Sequence, residues 1–493
     1  MRHSWVGLSL GFLAACGGGG GDGPIAPDPL SVASVTFSLT ELYVPLGETR
    51  SLTVTLKDRN GVVLTDRTVG WSTSAPGVAT VSATTSSTAT IAAVGVGSST
   101  ITVTSEGKSA GATVTVTSNV ARFVSVAAGG AHTCALTEAG AAYCWGRDER
   151  GQLGLLPSAD CNIDGTTFPC RRTPAAVGTS LVFKQLTGGD DYTCGLTADG
   201  TAYCWGGNSF GQLGDNSSID RSSPRPVLTS LKFTTIDAGN KHTCALTSDG
   251  TAYCWGLNVV GQLGDGTTSD SSVPVAVSGG LKFQQIVAGG LTTGHTCALT
   301  TAGAAYCWGR NDAGQLGNNT SDPGLQLQVH SSPTAVAGGL TFATISTGLG
   351  RHNCALTAAR AAFCWGDNTY GELGDESTLT RATPGAVSGG ITFIQLSAGG
   401  FTGHTCGIAA NGAAYCWGDN EVGALGNGTT LFIFRPFPVA GGLSFKSIDS
   451  GSRHTCGLTT DGILYCWGSN GAGQLGIGST ERQLAPARVL GQP

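Results

Sequence analysis

The sequence predicts an all-β protein, a seven-bladed β-propeller preceded by a smaller β-sandwich. Three observations predict it. From Phe123 onward a unit recurs seven times, its Cys-Trp dipeptides beginning at Cys144, Cys204, Cys254, Cys307, Cys364, Cys416 and Cys466. Spacings of 50 to 60 residues between copies mark a solenoid or a propeller. Each unit carries four short apolar runs, and seven four-stranded units suit a ring of blades. Composition agrees: 78 of 493 residues are glycine, Ser, Thr, Val and Ala dominate, and helix-forming runs of Glu, Lys and Leu are almost absent.

The chain opens on an export signal. Arg2 and His3 precede an apolar stretch from Trp5 to Ala15, too short to span a bilayer as a mature helix. It ends in Leu13-Ala14-Ala15-Cys16, which resembles a bacterial lipobox. The resemblance implies removal of residues 1–15 and lipidation of Cys16, and Gly17 at the next position implies the outer membrane of a Gram-negative envelope. A plain signal peptide with an incidental cysteine is the alternative. A multi-acylated cysteine anchors stably, each buried CH₂ contributing ~0.8 kcal/mol. Residues 16–30, rich in Gly and Pro, then read as a flexible tether. Setting Cys16 aside, 16 of the 17 cysteines remain, all in regular pairs, as disulfides of an oxidising compartment would be. Charged residues make up only 12% of the chain, its net charge is −6, and no basic stripe is present, which argues against nucleic acid as a partner.

Residues 31–118 alternate apolar and polar in short runs, such as Ser51 to Leu56 and Thr100 to Thr104, with turn signals at Asn60-Gly61, Pro76-Gly77 and Glu106-Gly107. That pattern predicts an antiparallel sandwich with one wetted face. Trp71 is its one large aromatic candidate for a core anchor. The stretches Trp71 to Val81 and Ala93 to Val103 resemble the bacterial immunoglobulin-like domain, group 2, which implies a spacer or, less commonly, an adhesive role.

The repeat occupies residues 120–491. It reads Phe-x-x-Ile-x-x-Gly, His-Thr-Cys-Ala-Leu-Thr, Ala-Tyr-Cys-Trp-Gly, Gly-Gln-Leu-Gly, then Pro-x-x-Val, and resembles the repeat of the regulator of chromosome condensation family. The first cysteines of the seven copies are Cys134, Cys194, Cys244, Cys297, Cys354, Cys406 and Cys456. Each precedes its Cys-Trp partner (Cys144, Cys204, Cys254, Cys307, Cys364, Cys416 and Cys466 in the same order) by ten residues, with a turn such as Asp199-Gly200 between. A tight hairpin places such residues opposite each other on adjacent strands, within disulfide reach. His-Thr-Cys plus Cys also offers three metal ligands, but seven identical zinc sites in an exported protein are improbable chemistry, and neither a metal nor a cofactor is expected. Blade five carries Arg360 where the hairpin turn calls for Gly, which predicts mild backbone strain. The repeated His (132, 242, 295, 352, 404, 454, with Tyr192 in blade two) reads as a packed residue capping a neighbouring strand, and the repeated Trp as inter-blade core. The Asp/Asn-Gly turns after Gly-Gln-Leu-Gly read as turn chemistry rather than calcium loops.

Loop lengths point to a working face. With the strands of each blade numbered in order, connections 1–2 and 3–4 emerge on one face. Both vary: Gly to His (or Tyr192) takes 3, 3, 3, 6, 4, 5 and 3 residues, and Trp to the fourth-strand Pro takes 29, 19, 19, 25, 19, 19 and 19. Connections 2–3 and 4–1 are constant. Length variation confined to one face suggests binding there, although disulfides forbidding change on the other side would leave the same pattern. On the variable face the candidate partner-binding residues are Leu325, Leu327 and Val329 in blade four, and Phe401, Leu431, Phe432, Ile433, Phe434 and Phe437 in blade six. They read as an exposed apolar patch, or as a lid folded back on the protein. Blade one has a further long loop with its own pair, Cys161 and Cys170, pre-organised for binding.

The expected function is a non-catalytic module, monomeric and anchored in the envelope, that binds another envelope or extracellular protein. A structural or adhesive surface role fits the anchor and spacer too. Catalysis would need a non-repeated constellation, and Asp190-Asp191 is the one acidic pair that breaks the repeat. Guanine nucleotide exchange, which the family resemblance implies, fits poorly with an exported, disulfide-bonded chain.

Overall fold

The computed structural model describes residues 31–117, 122–155, 160–163, 166–290, 294–322, 329–400 and 403–492. The leader, Cys16 and the tether lie outside these residues, as do Leu325, Leu327 and Phe401.

The N-terminal part holds eight strands, β1 (Ser34–Phe37), β2 (Glu41–Pro45), β3 (Thr49–Lys57), β4 (Gly70–Thr73), β5 (Ala79–Ala83), β6 (Thr88–Ala93), β7 (Gly97–Ser105) and β8 (Lys108–Thr117). They form two sheets, ordered β1-β3-β6-β5 and β2-β8-β7-β4. Leu52, Ile91, Ile101 and Val114, one from each of four strands, are fully buried between them. Alternation along the strands accounts for this, since every second side chain points inward. Two expectations need correction. The sandwich is not wholly antiparallel: after β1 the chain crosses to the second sheet, so β2 runs parallel to β8, Glu41 opposite Thr113. Trp71 is not the central anchor either; it is half-buried at the margin of the core, its ring 5.9 Å from that of Phe37.

Residues 123–488 form seven blades, and each blade is one repeat. In blade three the strands are Phe233–Ala238, His242–Thr247, Ala252–Gly256 and Ser271–Ala276, hydrogen-bonded in sequence order. The first strands touch one another around the axis, blade seven against blade one included, so the ring closes. Among the described residues no blade mixes strands from the two ends of the repeat array. Blade four departs in its outer strand, reduced to Thr334–Ala335. Blade one gains a strand, Asp160–Ile163.

The repeated residues build the junctions between blades. Each Trp is fully buried and packs near the Phe that opens its own blade, as Trp255 does 6.0 Å from Phe233. That pair lies against Cys194, Cys204 and Leu213 of the preceding blade. At ~25 cal/mol per Å² and ~200 Å² each, every such Trp contributes up to ~5 kcal/mol. The last Gly of Gly-Gln-Leu-Gly is required by this packing: at Gly264 (φ +72°) a Cβ would lie 2.5 Å from Trp308 Nε1.

Every repeat cysteine is bonded within its own blade, as the ten-residue spacing predicts. The pairs are Cys134–Cys144, Cys194–Cys204, Cys244–Cys254, Cys297–Cys307, Cys354–Cys364, Cys406–Cys416 and Cys456–Cys466, each with Cα atoms 4.1 Å apart. Cys161–Cys170 forms an eighth disulfide. The seven repeat bridges are fully buried and join the second strand to the third, where the two cysteines of a blade face each other directly, as Cys244 does Cys254. They therefore serve the inter-blade core as apolar surface as well as stapling the hairpin.

Candidate functional site

The repeated His and Thr form a latch between blades. Thr296 Oγ1 donates to the Gln262 carbonyl at 2.8 Å, and Trp308 Nε1 donates to the same oxygen at 3.0 Å. Thr296 has one proton and gives it to Gln262, so at its 2.9 Å contact with His242 the Nε2–H must be the donor. The same set closes the ring, with His454, Thr133, Trp145 and the Gln474 carbonyl. Burial pushes these histidines down to about 3 or 4, so the ring is neutral and Nε2-protonated. Tyr192 takes the place of the histidine in blade two, donating from its hydroxyl to the His242 carbonyl at 2.6 Å and lying 3.0 Å from Thr243 Oγ1, whose own proton goes to the Gln212 carbonyl at 2.8 Å. The histidines are therefore structural. At the axis the fifth residue of the first strand has a parallel job: Asp237 accepts the Ala288 N–H, Asp449 the Ala128 N–H, and Thr187 the Ala238 N–H.

On the face of connections 1–2 and 3–4, ion pairs tie adjacent blades. Lys241 of blade three reaches Asp191 at 2.8 Å and Asp190 at 3.3 Å in blade two, and Arg351 of blade five reaches Asp312 of blade four at 3.0 Å while also pairing with Asp367 of its own blade at 2.5 Å. Asp190-Asp191 is thus held by a cation from the next blade. The 3–4 connections are shaped from within by one Asn per blade in blades two to seven. Asn420 Oδ1 accepts the Leu425 N–H, while its Nδ2 donates to the Thr429 and Leu431 carbonyls. Holding that carbonyl inward turns the side chain out: Leu431 is 69% exposed, and Ile219 and Leu379, at the same position in blades two and five, are 62% and 72% exposed. The Asp/Asn turns that follow Gly-Gln-Leu-Gly are Asx turns, Asp265 for instance accepting from Thr267 N and Oγ1.

The blade-six candidates prove to be of two kinds. Ile433, Phe434 and Phe437 lie on the fourth strand, Ile433–Pro438, not in a loop. The strand begins there because Ile433 pairs with Gly418 and Phe437 with Cys416, as in the other blades. Ile433 packs on the core toward blade seven. Phe434 covers Gly371 of blade five, where a Cβ would meet its ring at 2.3 Å, and Phe432 stands edge-on to Tyr370 at 5.5 Å. Leu431 and Phe437 are exposed, as is Val329 of blade four, and Phe432 and Phe434 also keep 42% and 39% of their surface exposed.

A family model of the RCC1-like domain matches residues 92–402, and models of the regulator of chromosome condensation (RCC1) repeat match 393–424 and 445–474, and 411–458 and 461–493. The chain belongs to the RCC1-like domain family. Human E3 ubiquitin-protein ligase HERC2 is 30% identical over 321 residues, 64% of this chain and 5% of HERC2. The ultraviolet-B receptor UVR8 of Arabidopsis thaliana is 31% identical over 320 residues, 64% of this chain and 57% of UVR8. The chain thus spans a small part of the first relative and just over half of the second. Among solved structures, human WBSCR16 superposes with a TM-score of 0.60 at 25% identity, over 70% of this chain and 93% of that one. Prp20p of Saccharomyces cerevisiae, which binds Gsp1p and histones, superposes with a TM-score of 0.57 at 24% identity, over 67% and 80%.

Two departures from the RCC1-like repeat escaped the sequence reading. Glu372 replaces the Gln of Gly-Gln-Leu-Gly in blade five, is 3% exposed, and accepts the Tyr370 N–H at 2.7 Å. Burial pushes it up to about 8. Asp148 replaces the loop-shaping Asn in blade one, where a disulfide hairpin takes the place of the turn. Phe168, Cys161 and Cys170 of that hairpin pack on Ala131 and on Ala472 of blade seven. Ile219 and Leu379 were also missed; each lies eleven residues after its Asn, the spacing that would have found them.

Proposed function

We propose that this protein is a non-catalytic, protein-binding RCC1-like propeller, lipid-anchored at Cys16 in the bacterial envelope, and that its partner is another envelope or extracellular protein. The N-terminal sandwich we read as an immunoglobulin-like domain. One observation carries the binding reading. On the face where loop length varies, Ile219, Leu379 and Leu431 are turned outward by a buried asparagine, so their exposure is built rather than incidental. Phe437 extends the apolar surface onto the outer edge of blade six. Apolar anchors ringed by Arg and Glu, such as Arg435 and Glu376, are what protein interfaces use. Prp20p supplies a precedent for protein binding by this fold, not for the identity of the partner.

Phe432 and Phe434 are poor probes because they also pack blade six on blade five. The clean variant is Leu431→Asp with Phe437→Asp. Purified wild type passed over envelope extract is expected to retain a stoichiometric partner, and the double variant to lose it with an unchanged melting temperature. Equal retention by both would end the assignment of this face.

A further inference from the structure

Six of the seven blade junctions are crossed by the chain itself, as from Val227 to Phe233, whereas the junction of blade seven with blade one is not. Without exchanged strands or a chain crossing, that seam is held by side-chain packing and hydrogen bonds alone, and an opening of the ring would begin there. We propose that the N-terminal sandwich is a clasp that closes this seam, not a spacer. The clasp does not depend on the protein-binding reading.

The contact is specific to the two blades concerned. Strand β2 is the unpaired edge of its sheet, and its alternation buries Leu42 and Val44 in the sandwich while Glu41 and Tyr43 face outward. Arg172, in the fourth strand of blade one, reaches Glu41 at 2.8 Å and lies over the Tyr43 ring at 5.8 Å from its centroid. The same ring fills the space above Gly478 of blade seven, where a Cβ would meet it at 2.5 Å. The Gly478 N–H donates to the Arg172 carbonyl at 2.8 Å, so Tyr43 covers the hydrogen bond that joins the two blades. Lower on blade seven, Arg488 donates to Glu48 at 2.5 Å. The hairpin stapled by Cys161–Cys170 covers the same seam from the other blade, through Phe168 and Ala472. A cleft of about 460 Å³ remains between β2 and the edge of blade seven, so the clasp rests on few residues and single substitutions will release it.

The test is hydrogen exchange on the full, oxidised chain, comparing wild type, Arg172→Glu, Tyr43→Ala, and Arg172→Glu combined with Glu41→Arg. Losing a half-buried ion pair and a cation–ring contact is expected to speed exchange roughly three- to tenfold. The increase will fall on β2, on 483–488 of blade seven and on 123–137 of blade one, and will leave 233–247 of blade three unchanged. The charge-swapped pair will recover at least half of the loss. Exchange in β2 that rises without any change at the seam would show a contact that clasps nothing and overturn the proposal. An increase spread evenly over all blades, or no recovery in the swapped pair, would overturn it as well.

Discussion

Thr296→Val isolates the inter-blade latch. The change keeps the shape and removes one hydroxyl that is fully buried. Two hydrogen bonds go with it, the donation to the Gln262 carbonyl at 2.8 Å and the acceptance from His242 at 2.9 Å. Gln262 keeps Trp308 as a donor. His242 keeps nothing, because its Nδ1 already lacks a partner and the ring is fully buried. One net hydrogen bond at ~1 kcal/mol and one orphaned buried donor at ~1–3 kcal/mol give an expected loss of about 2–4 kcal/mol. Blade five supplies the control: there Asn353 stands in for Thr, its Oδ1 facing His295 at 2.8 Å and its Nδ2 donating to the Gln315 carbonyl at 2.7 Å. Thr296→Asn is therefore expected to cost under about 1 kcal/mol, since the amide both accepts and donates. Denaturant unfolding of the oxidised protein at pH 7.5, with unchanged m, measures both. A Val variant within about 0.5 kcal/mol of wild type, or an Asn variant as damaging as Val, would refute the latch.

Three further outcomes follow from buried or strained groups. The histidine pKa values lie near 3 to 4 in the fold and near 6.5 unfolded, so the unfolded chain takes up protons first and stability falls as pH drops from about 6.5 to about 4. His132→Gln, which can still donate to Thr193, is expected to reduce that slope by ~1.4 kcal/mol per pH unit; an unchanged slope counts against buried neutral imidazoles. Glu372 has the opposite sign: its folded value, about 8, lies above the unfolded one, so wild type loses stability as pH rises from about 4.5 to about 8. Glu372→Gln will be more stable by roughly 3 kcal/mol at pH 8 and by almost nothing at pH 4, checked by thermal melts at both. Arg360 sits at φ +64°, and Arg360→Gly is expected to gain ~0.5–1 kcal/mol, a result that a lower melting temperature would contradict.

How much of this was legible depends on whether a residue's partner repeats with it. The blade count, the seven repeat disulfides and the strained Arg360 turn could be read because each rests on spacing within one copy. The latch could not. His242 and Thr296 are 54 residues apart, and nothing in one repeat says that the histidine of one blade meets the threonine of the next. The place of Ile433 was misread for a related reason: a run of apolar residues looks like one patch until strand pairing turns Ile433 onto the core toward blade seven and leaves Phe434, still 39% exposed, lying over blade five. Position relative to the repeat would have served better than hydrophobicity, since Leu431 is set apart by its spacing from Asn420.

The junction chemistry also explains why one face is free to vary. Stability resides in the Trp, Cys, His and Thr that repeat between blades, and connections 2–3 and 4–1 are fixed by the hairpin disulfides and the Phe-to-Val spacing. In blades two, five and six the Asn of the 3–4 connection holds the backbone carbonyl at Ile219, Leu379 and Leu431, so the loop is shaped there without use of the side chain. Apolar side chains there are not required by packing at Ile219, Leu379 and Leu431, and their exposure costs solubility. A cost without a structural return, on the one face where the scaffold tolerates change, is the physical reason to look for the partner there.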